Sequence, residues 1–415
     1  MGSISGDGRF VAYTSAPDVD PGDSVEFRDV FLLDRLRDTT TILTVTPLGD
    51  PSNGGSSAPQ ISDDGSTVVF NSSATNLVVN DADPEVDVYR WDAATGDLSL
   101  VSTRPDGPSA NGTSIEPYVS SDGSVVVFSS SGTDLVEDDT NDTYDVFVWN
   151  DGSISRWSMT SEGTENDTWS RANGISGDGS TVFFRSHSAT LVPGGDSFLS
   201  SYAATAPGEV ELVDVATNGE PLSADGSAVW DSSDDGSLVL VVAGGENPGG
   251  NGSVLYLRDR NSGVTSPLMD KTPGELSGSR HERAYLTPDG RYVIFAVTIP
   301  DDDPFPNAPA TKRVLLGITQ EPTLDSFTPS TIGTGSTLVA LSGSGFHAGA
   351  TLHEAGGRVS FSDVTVVDAN TILAVATVES GVSDGPMIVG VQVPHDPDIA
   401  SGQAAAGVCL CLNVG

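Results

Sequence analysis

Two acidic loops carry the densest chemistry in this sequence. The string "DADPEVD" groups Asp81, Asp83 and Asp87, and "DTNDTYD" groups Asp139, Asn141 and Asp145, in one shared spacing, D-x-[DN]-x-x-x-D. Short oxygen-bearing side chains are what a hard cation needs, since Ca²⁺ takes roughly six to eight oxygen ligands. Calcium is therefore the cofactor these loops suit, as a structural clip. A degenerate copy, Asp23 and Asp29 with Glu26 between them, comes earlier in the chain. Neither full loop has the glycine or the terminal bidentate glutamate of an EF-hand. In a chain of net charge −40, aspartates also gather as solvated turn residues, and that reading stays open beside the first.

A second set of polar residues recurs in register. Gln60, Tyr118, Asp231 and Tyr285 each stand four residues before an Asp-Gly dipeptide, with Ser3 and Gly174 at the same place in two further copies. Glu116, Arg171, Asn173, Trp230, His281 and Arg283 lie close by in sequence. Converging polar and aromatic side chains suit a small polar or sugar-like ligand. The plainer alternative is a water-filled channel lined by polar groups. If the set catalysed anything, Glu116, Asp231, His281 and Arg283 would supply the acid, the base and the charge-stabilising groups.

Nucleophilic catalysis finds no support. One G-x-S-x-G string occurs, around Ser383, but it lies in a run of short alternating strands with no helix pattern after it; the five histidines (His187, His281, His347, His353, His395) are scattered, and no catalytic residue is assigned. The pair Cys409 and Cys411 reads as a strand end with small side chains.

These candidates sit on a repeat. The phrase "ISGDGRFVAY" from Ile4 returns as "ISDDGSTVVF", "VSSDGSVVVF", "ISGDGSTVFF", "SSDDGSLVLV" and "LTPDGRYVIF". Its aspartates are Asp7, Asp64, Asp122, Asp178, Asp235 and Asp289, at steps of 57, 58, 56, 57 and 54 residues. A fixed period of this length marks units that bury their apolar faces only against neighbours. Asp-Gly predicts a type I′ hairpin turn. The alternation that follows, as in Val68 and Phe70, predicts a strand with both residues on one face. A further strand is expected 18 to 24 residues after each aspartate: "DVFLLD", "DVYRWD", "DVFVWN", "DSFLSS" from Asp196, "SVLYLRD" and "RVLLGI". A weaker fourth strand, such as "TTTILTV" from Thr39, closes most units. Four antiparallel strands repeated six times predict an all-β fold, a six-bladed β-propeller, with seven blades as the alternative if the N-terminus is missing. The sixth unit lacks a fourth strand, so either an N-terminal segment supplies it or the blade has three.

The pattern P-x-I-S-x-D-G-x-x-V-x-F followed by D-V-F-x-x-D resembles the TolB-type propeller repeat, related in layout to WD-repeat propellers. "PQISDDGSTVVF" from Pro59 and "PYVSSDGSVVVF" from Pro117 carry it best. The resemblance implies a propeller over residues 1–319 and leaves function open, because such scaffolds serve as receptors, frames and enzymes.

From Glu321 the rhythm changes to short alternating strands without the repeat phrase, which predicts a small sandwich over 320–415. "PTLDSFTPS" from Pro322 with "LSGSGF" from Leu341 resembles the IPT/TIG family of immunoglobulin-like domains. That resemblance implies a spacer or protein-contact module.

Charge narrows the partners. With 58 acidic against 18 basic side chains, the field repels phosphate backbones and anionic lipid, so no nucleic-acid partner and no membrane insertion are expected. A protein or glycan partner fits better, and the Asp-rich loops together with the resemblance favour an extracellular or cell-surface protein. The expected function is non-catalytic binding at the channel mouth and loops. The alternatives are a carbohydrate-active or other hydrolase or lyase acting in the channel, or a structural subunit of a surface layer or filament.

Overall fold

The computed structural model describes residues 2–15, 27–81, 83–193, 198–223, 226–244, 253–268, 280–290, 292–299, 311–318, 323–344, 346, 350–354, 357–368, 371–382, 385–392 and 406–414. Six antiparallel meanders follow one another. Sheet one is β1 (Gly2–Ile4), β2 (Phe10–Ser15), β3 (Asp29–Asp34) and β4 (Thr39–Ile42). Sheet two is β5 (Ser56–Ile61), β6 (Thr67–Ser72), β7 (Asp87–Asp92) and β8 (Leu98–Leu100). Sheet three is β9 (Ser114–Val119), β10 (Val125–Ser130), β11 (Asp145–Asn150) and β12 (Ser153–Arg156). Sheet four is β13 (Ser170–Ile175), β14 (Val182–Ser186), β15 (Ser200–Ala206) and β16 (Glu209–Leu212). Sheet five is β17 (Ser227–Ser232), β18 (Leu238–Ala243), β19 (Val254–Asp259) and β20 (Val264–Pro267). Sheet six has three strands among the described residues: β21 (Arg280–Leu286), β22 (Tyr292–Ile299) and β23 (Thr311–Ile318).

The first strands of successive sheets touch in series, β1 to β5, β5 to β9, β9 to β13, β13 to β17 and β17 to β21. This all-β arrangement of repeated four-stranded antiparallel sheets is consistent with a β-propeller. Each inner sheet is covered on both faces, so the middle of its second strand is apolar on both sides. Val68 and Phe70 pack with Val30 and Leu32 of sheet one, while Val69 packs with Val126 and Phe128 of sheet three. Every residue of β6, β10 and β18 is buried. Each large side chain so buried contributes about 1.5–3 kcal/mol.

The turn in the repeat phrase differs from the type I′ turn expected. In the first copy Gly8 N–H bonds the Ser5 carbonyl at 2.8 Å, and Ser5 N–H bonds the Phe10 carbonyl at 2.9 Å. Residues 6–9 thus form a four-residue loop, in which Gly8 takes φ 69° while Asp7 is not among the positive-φ residues. A type I′ turn needs positive φ at both central positions. The aspartate acts instead as a cap. Ser5 Oγ donates to Asp7 Oδ1 at 2.7 Å, and that oxygen also accepts Arg9 N–H at 2.9 Å. Ser62/Asp64, Ser120/Asp122, Ser176/Asp178 and Ser233/Asp235 repeat the pairing.

One strand was misplaced by sequence. The third strand of sheet four is Ser200–Ala206, not a strand starting at Asp196, which lies outside the described residues. Ser200 pairs with Ser186 where Asp145 pairs with Ser130. A serine therefore holds the aspartate's position, and a carboxylate stands instead just beyond the next strand, as Asp214. Asp29 takes a bond from Thr44 at 2.5 Å and Asp87 one from Ser102 at 2.6 Å, whereas Asp214 accepts Ser227 Oγ at 2.7 Å and Ser201 N–H at 3.2 Å.

The chain divides into two compact units, Met1–Gly290 with Ile294–Val314, and Arg291–Val293 with Leu315–Gly415; the sequence placed the boundary at 319/320. The second unit holds two four-stranded sheets. One is ordered β24 (Thr323–Thr328), β26 (Gly335–Ser344), β29 (Thr371–Val378), β28 (Val359–Asp368). The other is ordered β25 (Thr331–Ile332), β31 (Ala406–Val414), β30 (Gly385–Gln392), β27 (Thr351–Glu354). Leu341, Ile372 and Ala374 of the first sheet share one core with Ile332, Val389 and Val391 of the second, which makes a sandwich.

Candidate cation and ligand sites

The loop between β6 and β7 draws the carboxylates of Asp81, Asp83 and Asp87 together, with one oxygen of each within 4.8 Å of the others. Strand β7 fixes Asp87 as its first residue, fully buried, where Oδ1 accepts Ser102 Oγ at 2.6 Å. Asp81 is also buried, and its Oδ2 accepts the Tyr89 hydroxyl. Asp83 is half-buried; it accepts Glu85 N–H at 3.0 Å and Ser109 Oγ at 2.6 Å. Asp81 Oδ1 and Asp87 Oδ2 are buried with no hydrogen-bond partner among the described residues. Burial, reinforced by Asp81 and Asp83, pushes the Asp87 carboxyl up to about 8.

The equivalent loop in sheet three brings together Asp139, Asp145 and Glu165. Glu165 was not anticipated, nor was Arg156, which enters the group from β12. Its guanidinium is buried, and Nη1 lies 2.6 Å from Glu165 Oε1, 3.4 Å from Asp139 Oδ1 and 3.8 Å from Asp145 Oδ2. Nη2 donates to the Asp138 carbonyl at 2.6 Å. Asn141 was expected as an oxygen ligand. Its Nδ2 instead donates to Asp145 Oδ2 at 2.9 Å, and its Oδ1 accepts Thr143 N–H at 3.0 Å. The degenerate copy cannot be compared, because Asp23 and Glu26 lie outside the described residues. A signal for Arg156 did exist: it is an arginine at the end of a short outer strand, in a chain with few cations.

The inner strands bring the ligand-binding candidates into a series. Each of β5, β9, β13 and β17 breaks register at the same place, between Ser57 and Gln60, Ile115 and Tyr118, Ala172 and Gly174, and Val229 and Asp231. Such bulges re-aim side chains. At the second of them Glu116 takes φ 55°. Glu116 pairs with Arg171 at 3.3 Å and accepts Ser129 Oγ at 3.2 Å. The Arg171 guanidinium stacks 4.2 Å from the centre of the Tyr144 ring. Asp231 accepts two backbone amides, from Ser232 at 2.9 Å and, across to β21, from Leu286 at 2.8 Å. Tyr118 packs partly into the core between sheets three and four. Gln60 is half-buried, and Tyr285 is 55 % exposed. The side chains of His281 and Arg283, like those of Cys409 and Cys411, lie outside the described residues.

The two ends of this series differ. At the Asp-Gly end the turns are stitched together: Asp64 N–H bonds the Ser121 carbonyl, Ser121 N–H that of Gly177, Asp178 N–H that of Asp234 and Asp234 N–H that of Pro288. Ser121 Oγ donates to Asp63 Oδ2 at 2.7 Å and lies 3.4 Å from Asp234 Oδ1. Turns from sheets two, three and five therefore meet at one serine, which pinches this end. Antiparallel alternation places the β6–β7 and β10–β11 loops, with both acidic clusters, at the opposite end.

No family model matches the chain, and no curated protein matches it. Among solved structures it is similar to putative TolB from Agrobacterium tumefaciens, at 16% identity and TM-score 0.41, over 70% of this chain and 86% of that one. It is similar to the periplasmic gluconolactonase PpgL of Pseudomonas aeruginosa, at 16% identity and TM-score 0.33, over 94% of this chain and 92% of that one. The tricorn protease matches at 11% identity and TM-score 0.37, over 98% of this chain and 39% of that one. Similarity this slight carries no argument about function, so the site itself must. Among the described residues no helix is long and apolar enough to cross a membrane.

Proposed function

We propose that this chain is an exported, non-catalytic binding protein. It combines a six-bladed TolB-type propeller over about residues 1–319 with an IPT/TIG-like immunoglobulin sandwich over 320–415, as the two sequence resemblances imply. The propeller contacts its partner with the loop end of the channel. The observation that carries this reading is the state of the channel's acids. Glu116 is held by Arg171 and Ser129, and Asp231 by two backbone amides. Carboxylates committed in this way orient a surface, and among the described residues neither of the two is left free to serve as an acid or base for turnover. A guanidinium stacked on Tyr144, close to a carboxylate, offers the mixture of flat and hydrogen-bonding surface that suits a glycan. The sandwich serves as a spacer or a docking module for a protein.

Screening the purified protein on glycan and peptide arrays tests the reading. Glycan binding that is lost in Arg171→Ala or Tyr285→Ala supports it. Binding indifferent to both removes the channel site, peptide binding alone makes the partner a protein, and hydrolysis of a bound glycan replaces the reading with the enzymatic one.

A further inference from the structure

Sheets two and three carry the same loop, but only one of them contains its own cation. Phe147 pairs with Arg156 where Tyr89 pairs with Leu100, so leucine and arginine occupy equivalent positions. In sheet three a guanidinium enters a group of three carboxylates. In sheet two three carboxylates converge around Asp87, and none is ion-paired with any described residue. Buried charges persist when they are paired or coordinate a metal. The arginine of sheet three thus marks where positive charge sits in this loop, and sheet two lacks it.

We propose that Asp81, Asp83 and Asp87 bind one calcium ion, and that Arg156 replaces that ion in sheet three. Asp81 Oδ1 and Asp87 Oδ2, both buried and without hydrogen-bond partners, are the oxygens left to bind it. Their remaining oxygens are held by Tyr89 and Ser102, which orient the carboxylates as outer partners of a metal site do. The donors are all hard oxygens, which suits calcium or magnesium rather than zinc. One oxygen from each carboxylate lies within 4.8 Å of the others, close enough to share one Ca²⁺ shell, which spans about 5 Å across. Water and loop carbonyls complete the shell. The ion joins the β6–β7 loop to the first residue of β7 and is independent of any ligand in the channel.

Calorimetric titration of EDTA-treated protein with CaCl₂, paired with thermal melts in CaCl₂ and in NaCl of equal ionic strength, tests this. The expected result is one saturable site per chain and a melting temperature raised by calcium beyond matched sodium. Asp83→Asn and Leu100→Arg should each abolish both effects. The first is a half-exposed, isosteric change, and the second imports the arginine of sheet three. Asp83→Asn decides if Leu100→Arg does not fold or if the two variants differ. Absence of saturation, a calcium effect no larger than that of sodium, or binding that survives Asp83→Asn would overturn the proposal.

Discussion

Arg156 stands opposite Phe147 at the register position that Leu100 holds opposite Tyr89, and this single exchange divides two otherwise parallel acidic loops. In sheet three, an almost completely buried guanidinium lies within 4 Å of three carboxylates. Removing one partner of a buried ion pair leaves the others uncompensated and costs about 3–5 kcal/mol. Arg156→Leu should therefore lower stability by that order in urea denaturation. Added calcium should recover part of the loss, because the variant reproduces the charge pattern of sheet two. A variant as stable as wild type in EDTA would show that the arginine is not balancing the cluster.

Close approach of backbones sets a second expectation. A Cβ on Gly112 would lie 2.6 Å from Gly132 N and 2.7 Å from Gly132 Cα, where no flexible side chain can move aside. Gly112→Ala should cost about 1–3 kcal/mol, the usual range for overpacking. Gly152→Ala makes no such contact, and differs by carrying a positive φ of 83°. An unchanged urea midpoint in Gly112→Ala would mean that the loops can part without penalty.

Acid stability depends on pairs such as Asp34 with Arg9. Hydrogen bonds from Arg9, and then from Arg37 and nearby amides, hold the Asp34 carboxyl well below its ordinary 3.8. The folded state therefore binds this proton less readily than the unfolded chain. The pair's contribution is full above about pH 4 and is lost as pH falls through the depressed folded value. Asp34→Asn should lower the melting temperature at pH 7 and narrow its gap from wild type below pH 3. A gap that does not depend on pH would assign the effect to packing.

Net charge sets the response to salt. With a formal charge of −40, self-repulsion opposes compaction, and sodium chloride screens it. The melting temperature should rise with NaCl well beyond the range in which a calcium site saturates. A fall with salt would mean that ion pairs such as Arg260–Glu211, 2.6 Å apart, outweigh the general repulsion.

Core truncation should follow the double coverage of each sheet. Phe128 is fully buried and stacks with Phe147, ring centres 5.8 Å apart. Phe128→Ala should cost about 3–5 kcal/mol, against less than 1 for truncating an exposed residue such as Leu48. Equal midpoints for the two variants would deny that this face is a packed core.

By itself the sequence determined what is local or periodic. The repeat phrase, the alternating strand after it and strands such as Asp87–Asp92 follow from turn chemistry and hydrophobic period, and both operate within about ten residues. The acidic loops were legible for the same reason, as a shared spacing. Tertiary structure decided whatever depends on partners far along the chain. Asp-Gly proved to be the left-handed end of a serine-capped four-residue loop, because its hydrogen bonds, not the dipeptide, set the turn. The third strand of sheet four begins at Ser200, and the nearby carboxylate, Asp214, comes from beyond the next strand and accepts Ser201 N–H and Ser227 Oγ. Ser121 meeting both Asp63 and Asp234 chose which end of the inner strands is closed, a contact between turns of three sheets. Only cross-strand register set Arg156 inside one acidic cluster and Leu100 beside the other, since a guanidinium and carboxylates on different elements interact only once folding brings them within a few ångströms.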